Sequence, residues 1–354
     1  MKNREKLLVL APSRQTRGGI TAVVAEYSQT GMWKDWNCHW IETHIDTTKT
    51  AKIIYFVKAL FSYIHLLPSA DIIHIHLSEP VSAIRKAFFF LPALIARKKI
   101  ITHFHSFSTD STLNGRYKAL YRFLFSNSDT VIVLSNFWKN ELISSLGKNI
   151  PVQILYNPSL SMGNLAKHSS QERLPFVLFA GTLNERKGFK DLIRAFAIIA
   201  DDFPEWNLVF AGNGEISQGE ITAQKLGIED RVKFVGWVSG LEKDKIFREA
   251  SIFCLPSYAE GFPMAILDAM TYCIPTIATS VGGIEDVFSD ENELLIFSPG
   301  DIKKLSYCIS RMIEDFSLRD RLVSNSSKII STDFDINVLS KKMDSIYKFL
   351  HDDN

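Results

Sequence analysis

Short apolar runs alternate along the chain with longer segments in which apolar residues recur every three or four positions. In the first half the short runs predict strands at Lys6–Ala11, His39–Glu42, Asp71–His76, Ile100–His105, Thr130–Leu134 and Val152–Tyr156. The periodic stretches between them predict helices at Ile20–Gln29, Ala51–Leu66, Ala83–Ala96, Arg116–Phe125 and Asn136–Leu146. Asn157–Pro175, rich in Pro, Ser, Asn and Gly, interrupts the pattern. A second alternating series follows, from the strand Phe176–Ala180 through Asn207–Ala211, Val232–Val235, Ile252–Leu255 and Thr276–Ala278 to Leu294–Phe297. Helices are predicted at Gly188–Ala200, Gln218–Leu226, Glu242–Ala250 and Pro263–Tyr272, then near Asp301–Asp315, Leu318–Ser326 and Phe334–Leu350. Strand–helix alternation of this kind implies an α/β fold with parallel sheets. We read two doubly wound domains, 1–160 and 175–330, joined by a linker over 161–174. A C-terminal helix in 331–354 is expected to pack back on the first domain. Ligands of such folds bind beyond the carboxyl ends of the strands, here expected in a cleft between the domains.

With 354 residues, 46% of them hydrophobic and 22% charged, the chain can bury large cores, which excludes disordered and collagen-like classes. The four cysteines are scattered without C-x-x-C spacing, against a zinc knuckle or a secreted cystine framework. The opening apolar run is too short for a signal peptide, and the run Ala87–Ala96, interrupted by Pro92, is too short to span a membrane. A cytoplasmic location is expected. Charge changes this picture: residues 1–160 hold 19 basic and 10 acidic side chains, a net of +9, against −8 in the remainder. Much of the basic charge flanks the apolar segments 52–68 and 84–100, including Lys52, Lys58, Arg85 and Lys86. Two readings stay open: core-facing helices with solvated Lys tips, or basic amphipathic helices that lie on an anionic membrane surface. No nucleic acid is expected, because the basic residues are not interleaved with a recognition motif.

The richest chemistry lies between Pro256 and Phe288. Glu260 falls in a strand-to-helix loop, Pro263 suits a first helical turn, and Asp268 follows Glu260 by eight residues. N–H groups over Gly261, Phe262, Pro263 and Met264 would sit at the positive end of the helix dipole, ready for a phosphate. His74, His76, His103 and His105 fall on predicted strands at alternate positions. A metal site there would want nearby carboxylates, which the sequence does not supply, so strand-end and packed-core roles are the readings retained. Gly212-Asn213-Gly214 alone is a tight turn after a strand, and Trp237 alone is as well explained by packing.

The words P-S-x-x-E-G-F-P-x-x-x-L-D-A-M-x-x-x-x-P and V-G-G-I-E-D in this segment resemble the E-x7-E region of family 4 glycosyltransferases, which have the GT-B fold. The resemblance runs over about residues 1–330. Arg17-Gly18-Gly19-Ile20 is similar to the family's Gly-Gly loop, and the two His motifs to its strand ends. Asn157-Pro158 is similar to its interdomain turn, and Ala180-GTLNERKG to its donor-phosphate segment. The resemblance implies that Glu260 binds hydroxyls of the donor sugar and Asp268 the ribose. It implies Lys187 on the diphosphate, with Gly18 and Gly19 approaching it through bare backbone. His105 would lie near the transferred sugar, Trp237 near the base, and Glu285 against the donor. Two departures stand out. Asp268 replaces the family's second Glu, and Thr182 stands where the family has an Arg, leaving Arg186 as the candidate replacement. The resemblance also implies a metal-independent reaction, so no metal and no cofactor is expected.

What the resemblance implies is a retaining hexosyltransferase using a UDP- or GDP-linked sugar; the basic charge and apolar helices of the first domain suit a polyprenyl-diphosphate-linked oligosaccharide as acceptor, as in bacterial surface-polysaccharide assembly. It would be peripheral to the inner face of the plasma membrane. A catalytically silent GT-B partner of another transferase is the alternative.

Overall fold

The computed structural model describes residues 6–159 and 173–352. The chain divides into two compact units, 1–158 with 336–354 and 159–335. Most of the expected linker, 161–172, lies outside the described residues. Its last position, Leu174, already belongs to a strand, and Arg173 is anchored by donating to the carbonyls of Ala250 at 2.6 Å and Tyr272 at 2.8 Å.

The first unit is built on six parallel strands: β1 (Leu7–Ala11), β2 (His39–Glu42), β3 (Ile72–Leu77), β4 (Lys99–Phe104), β5 (Thr130–Val133) and β6 (Val152–Ile154). Their order is β2-β1-β3-β4-β5-β6, so the chain reverses direction across the sheet between β1 and β3. Every residue of β1 and β3 is buried, as befits central parallel strands covered on both faces. On one face Leu8, Leu10, Ile73, Ile75 and Leu77 pack with Tyr63, Phe89, Phe104, Phe125 and Trp138 in a continuous aromatic-rich core. The opposite face, lined by His74 and His76, packs on the helices Gly19–Ser28 and Ile336–Asp352. The last helix is fastened there by Trp36 Nε1, which donates to Asp344 at 2.8 Å, and by Tyr347. The short helix Gly31–Asp35 was not expected; five residues are too few to show a period, and its start rests on the Thr30 cap.

Two helices cover the aromatic face, Lys49–Leu66 and Pro80–Ile95. Pro80 opens the second three residues before its expected start, where the missing N–H costs nothing. Their outer sides are apolar: Ile53, Ile54, Val57, Phe61, Val81, Ile84, Phe88, Leu91 and Ile95 are all exposed, Phe61 and Ile95 to 75% and 82%. Of the four cations noted beside them, Lys58 is exposed and Lys52 pairs with Asp46 at 3.0 Å. Lys86 is not a solvated tip: it is 1% exposed, its ammonium donating to Thr43 Oγ1 at 2.7 Å, and Arg85 beside it is half-buried.

The second unit repeats the plan with β7 (Leu174–Ala180), β8 (Asn207–Ala211), β9 (Val232–Gly236), β10 (Ala250–Leu255), β11 (Thr276–Thr279) and β12 (Leu295–Phe297). Their parallel order is β12-β11-β10-β7-β8-β9, with the reversal between β7 and β10. The unit closes on Ile330–Phe334, a π-helical turn whose Phe334 stacks on Phe262 and Phe288. Both units are therefore doubly wound parallel sheets, as the alternation predicts.

Candidate active site

In the second unit the loops after β7, β8, β10 and β11 are held together by glycines that let backbone approach backbone. A Cβ on Gly212 would meet the Gly181 carbonyl oxygen at 1.7 Å. One on Gly188 would meet that of Pro256 at 2.0 Å, and one on Gly282 that of Glu260 at 2.2 Å. Gly188 (φ +64) and Gly282 (φ +60) also need the left-handed region. The Gly212–Gly214 turn is thus more than a turn, since Asn213 Oδ1 accepts from the N–H of Trp237 at 3.1 Å and sets that residue's place after β9.

Residues 184–188 are arranged by their own chemistry. Asn184 caps a 3-10 turn, Glu185–Lys187, by accepting from the Lys187 N–H, and left-handed Gly188 ends it. The turn delivers two cations to one carboxylate. Lys187 Nζ lies 2.5 Å from Glu260 Oε1, and Arg186 Nη1 lies 3.5 Å from Oε2 while donating to the Ala259 carbonyl at 2.6 Å. Glu260 is 6% exposed, and Ser257 Oγ also donates to its Oε1 at 2.6 Å. Burying a carboxylate this far would be costly unpaired; here two charges and a hydroxyl compensate it. Thr182, where a cation is absent, is exposed.

The helix after Glu260 runs Met264–Thr271. Pro263 is its N-cap, in extended conformation, rather than a first-turn residue, and proline carries no N–H. The donors expected over 261–264 therefore reduce to those of Gly261, Phe262 and Met264. The ring of Phe262 packs into the core, so only its backbone faces the helix entrance. Asp268 sits one turn inside, its Oδ2 accepting from Lys243 Nζ at 2.7 Å, while Oδ1 has no partner among the described residues. Lys243 lies on the helix Gly240–Glu249 and was not foreseen, because a pairing across 25 residues leaves no local spacing to read. Ser257 could have been found, since it is the S of P-S-x-x-E-G. Glu285 is exposed in the loop after β11 and makes no hydrogen bond or ion pair among the described residues.

In the first unit, Gly18 and Gly19 are exposed at the start of the helix Gly19–Ser28, which has neither a side-chain cap nor an acid in its first turn. The four histidines share one sheet face, because β3 and β4 pair with His76 opposite His103 and side chains alternate. His74, His76 and His103 are buried core residues rather than strand-end groups, and His105, half-buried, lies one residue beyond β4. His76 Nδ1 and His105 Nε2 share a hydrogen bond at 2.9 Å, and His74 Nδ1 one with Tyr347 Oη at 2.8 Å. Burial pushes His74 and His105 down to about 3. Burial, with repulsion from the neighbouring imidazoles, holds His76 and His103 well below the ordinary value. The ladder is therefore neutral at neutral pH. The candidate ligand nitrogens of His74, His76 and His103 lie within 4.8 Å of one another. Their rings, however, stack with interplanar angles of 11° to 30°, and near-parallel stacked planes do not converge on one ion.

Two family descriptions match the chain: Glycosyltransferase Family 4 over residues 40–158 and Glycosyl transferases group 1 over 164–329. Among curated relatives, an uncharacterized glycosyltransferase of Methanocaldococcus jannaschii is 28% identical over 50% of this chain and 46% of its own length. An uncharacterized glycosyltransferase of Haemophilus influenzae is 26% identical over 68% and 66%. A third, from Campylobacter jejuni, is 27% identical over 54% and 53%; it is the alpha-1,4-N-acetyl-D-galactosaminyltransferase that acts on GalNAc-alpha-(1->4)-GalNAc-alpha-(1->3)-diNAcBac-PP-undecaprenol. The matches thus span from about half to two thirds of these relatives. Anabaena HepE, solved with UDP and glucose, superposes with a TM-score of 0.79 over 97% of this chain and 99% of its own, at 18% identity. Sucrose-phosphate synthase from Thermosynechococcus elongatus gives 0.80 over 99% and 100%, also at 18%.

Proposed function

Taking the chain as a GT-B glycosyltransferase of the family 4 type, as its two matched domains indicate, we propose that it is a retaining hexosyltransferase. It moves a sugar from a nucleotide diphosphate to a hydroxyl of a lipid-linked oligosaccharide in bacterial surface-polysaccharide assembly. The observation that carries this is the convergence of Lys187 and Arg186 on Glu260 beside the entrance of the helix that bears Asp268.

Breaking the anomeric C–O bond leaves negative charge on a diphosphate and positive character on the sugar. Lys187 and Arg186, with N–H groups at the helix entrance, answer the first without a metal ion. Arg186 does the work of the cation missing at Thr182. Lys187 turns from Glu260 to the diphosphate as donor binds, freeing the Glu260 carboxylate for sugar hydroxyls. Asp268 Oδ1 takes the ribose, with Lys243 holding the other oxygen. His105, held neutral by burial, carries no positive charge at neutral pH. Attack comes from the leaving-group face, which retains configuration and needs no protein nucleophile. The Campylobacter relative, whose acceptor is linked to undecaprenol through a diphosphate, supports the acceptor class. The outward apolar sides of Lys49–Leu66 and Pro80–Ile95 support a peripheral place on an anionic membrane surface. The stretch Lys49–Ser69 is long and apolar enough to cross a bilayer by composition. Tyr63, buried with its hydroxyl on the Phe89 carbonyl at 2.8 Å, ties it to the first unit and favours a helix lying on the surface.

The test is thermal unfolding with UDP, GDP or neither, each with and without EDTA, in wild type and Lys187→Ala. A ligand at 100 times its Kd stabilises by about 2.7 kcal/mol. A shift with one nucleotide, unaffected by EDTA and lost in Lys187→Ala, is the expected result. No shift with either nucleotide would favour the silent-partner reading, to which Thr182 lends its weight.

A further inference from the structure

The first unit buries a lysine that no acid compensates among the described residues. Lys86, on the inner side of the helix Pro80–Ile95, is 1% exposed, and its ammonium reaches a hydroxyl, Thr43 Oγ1. Arg85 beside it is half-buried, with its Nε shut off from water and without a partner. His44 is the third group: both cations, Arg85 foremost, help hold its pKa down, after burial itself. The three meet at the carboxyl edge of the sheet, where Thr43 N–H donates to the carbonyl of Ala11 at the end of β1 and Ser13 N–H to that of His44.

The acids at this edge are committed elsewhere. Glu42 takes Arg14 and Ser13, Asp46 takes Lys52, and Glu79 takes Ser106, Ser111 and the N–H of Phe107. Neither Lys86 nor Arg85 has a carboxylate partner among the described residues. An ammonium withdrawn from water with only a hydroxyl for company is expensive, so burial, with the adjacent Arg85 guanidinium, pushes the Lys86 pKa well below its ordinary value, and a bound anion would restore the charge. A multiply charged anion arriving from the half-exposed side, between Arg85 and His44, removes that cost.

We propose that Lys86, Arg85 and Thr43 form an anion site for the phosphate or diphosphate group of the acceptor. This rests on the glycosyltransferase reading above, which supplies a phosphorylated acceptor, and it gives that acceptor a fixed point in the first unit. Lys86 also lies near enough to His76 to repel its protonated form, and His76 bonds His105. The site and His105 thus both lie at the carboxyl edge of the first unit's sheet.

Lys187 and Arg186 would themselves bind diphosphate, so the measurement is made in a Lys187→Ala background. Inorganic pyrophosphate and farnesyl diphosphate are titrated calorimetrically into that protein and into the same protein carrying Lys86→Met or Arg85→Gln. The expected result is saturable binding that weakens by roughly ten- to a hundredfold in Lys86→Met, the usual worth of a hydrogen bond to a charged group. Arg85→Gln, nearer the surface and tolerant of folding, weakens it severalfold. Tighter binding of farnesyl diphosphate than of pyrophosphate identifies a lipid-linked group, and equal binding a free phosphorylated acceptor; both support the site. Absence of binding in the Lys187→Ala protein, or binding unchanged by Arg85→Gln and by a folded Lys86→Met, overturns it. Should UDP and GDP fail to bind wild type while pyrophosphate binding still depends on Lys86 and Arg85, the donor reading fails and the anion site stands.

Discussion

Gly282 is the residue on which the geometry of Glu260 most directly leans. It combines a left-handed φ of +60° with a backbone oxygen 2.2 Å from where its Cβ would be. Gly282→Ala is expected to destabilise the second unit by more than about 1 kcal/mol and to displace the Glu260 loop. Urea unfolding and nucleotide titration check both effects, and a variant of wild-type stability would refute the close approach. The histidine ladder makes a second prediction, on acid. His74 and His105 are held from the ordinary 6.5 down to about 3 and so take up protons mainly on unfolding. Their stabilising contribution is complete above pH 6.5 and falls as pH drops toward 3, at about 1.4 kcal/mol per pH unit for each such group. Urea midpoints should decline as pH falls from 6.5 to 5, and less steeply in His103→Leu, which removes one of the groups that burial keeps unprotonated in the folded state. Glu260, Asp268 and Lys187 could be found by spacing, because each belongs to a continuous word. Lys243, which holds Asp268, could not, since only the fold brings its helix alongside.

The helices Lys49–Leu66 and Pro80–Ile95 show what periodicity can and cannot say. Both were readable as amphipathic, but hydrophobic spacing does not reveal which side of a helix with apolar residues nearly all round will be covered. The structure turns Tyr63, Phe89 and Phe90 inward and leaves Ile53, Phe61, Phe88 and Ile95 outside. It also turns Lys86 inward, so of the four cations singled out by sequence those left for a lipid headgroup are Lys58 and, once released from Asp46, Lys52. Phe61→Ser with Phe88→Ser should abolish cosedimentation with anionic liposomes while leaving the melting temperature nearly unchanged, because exposed side chains contribute little to the core. Lys58→Gln should weaken it in a salt-dependent way. Equal sedimentation of the Phe61/Phe88 variant and wild type would rule out this face as the contact.

Across the whole chain, the two parallel sheets were readable because central strands are uniformly apolar and their helices periodic. Strand ends were less so: β4 stops at Phe104, and His105 is carried by a loop whose N–H bonds the Leu77 carbonyl. The charge contrast between the halves was readable as well, although not its internal use, since the sequence does not distinguish a buried Lys86 from a solvated one. The helix Ile336–Asp352 returns to complete the first unit after the whole second unit has been traversed. That order matters during synthesis. When the second unit has left the ribosome with all its strands, the first still lacks the helix that covers Trp36 and gives His74 its tyrosine partner. The imidazole face is then open to water and to protons, so the half of the molecule made first is the half that finishes folding last.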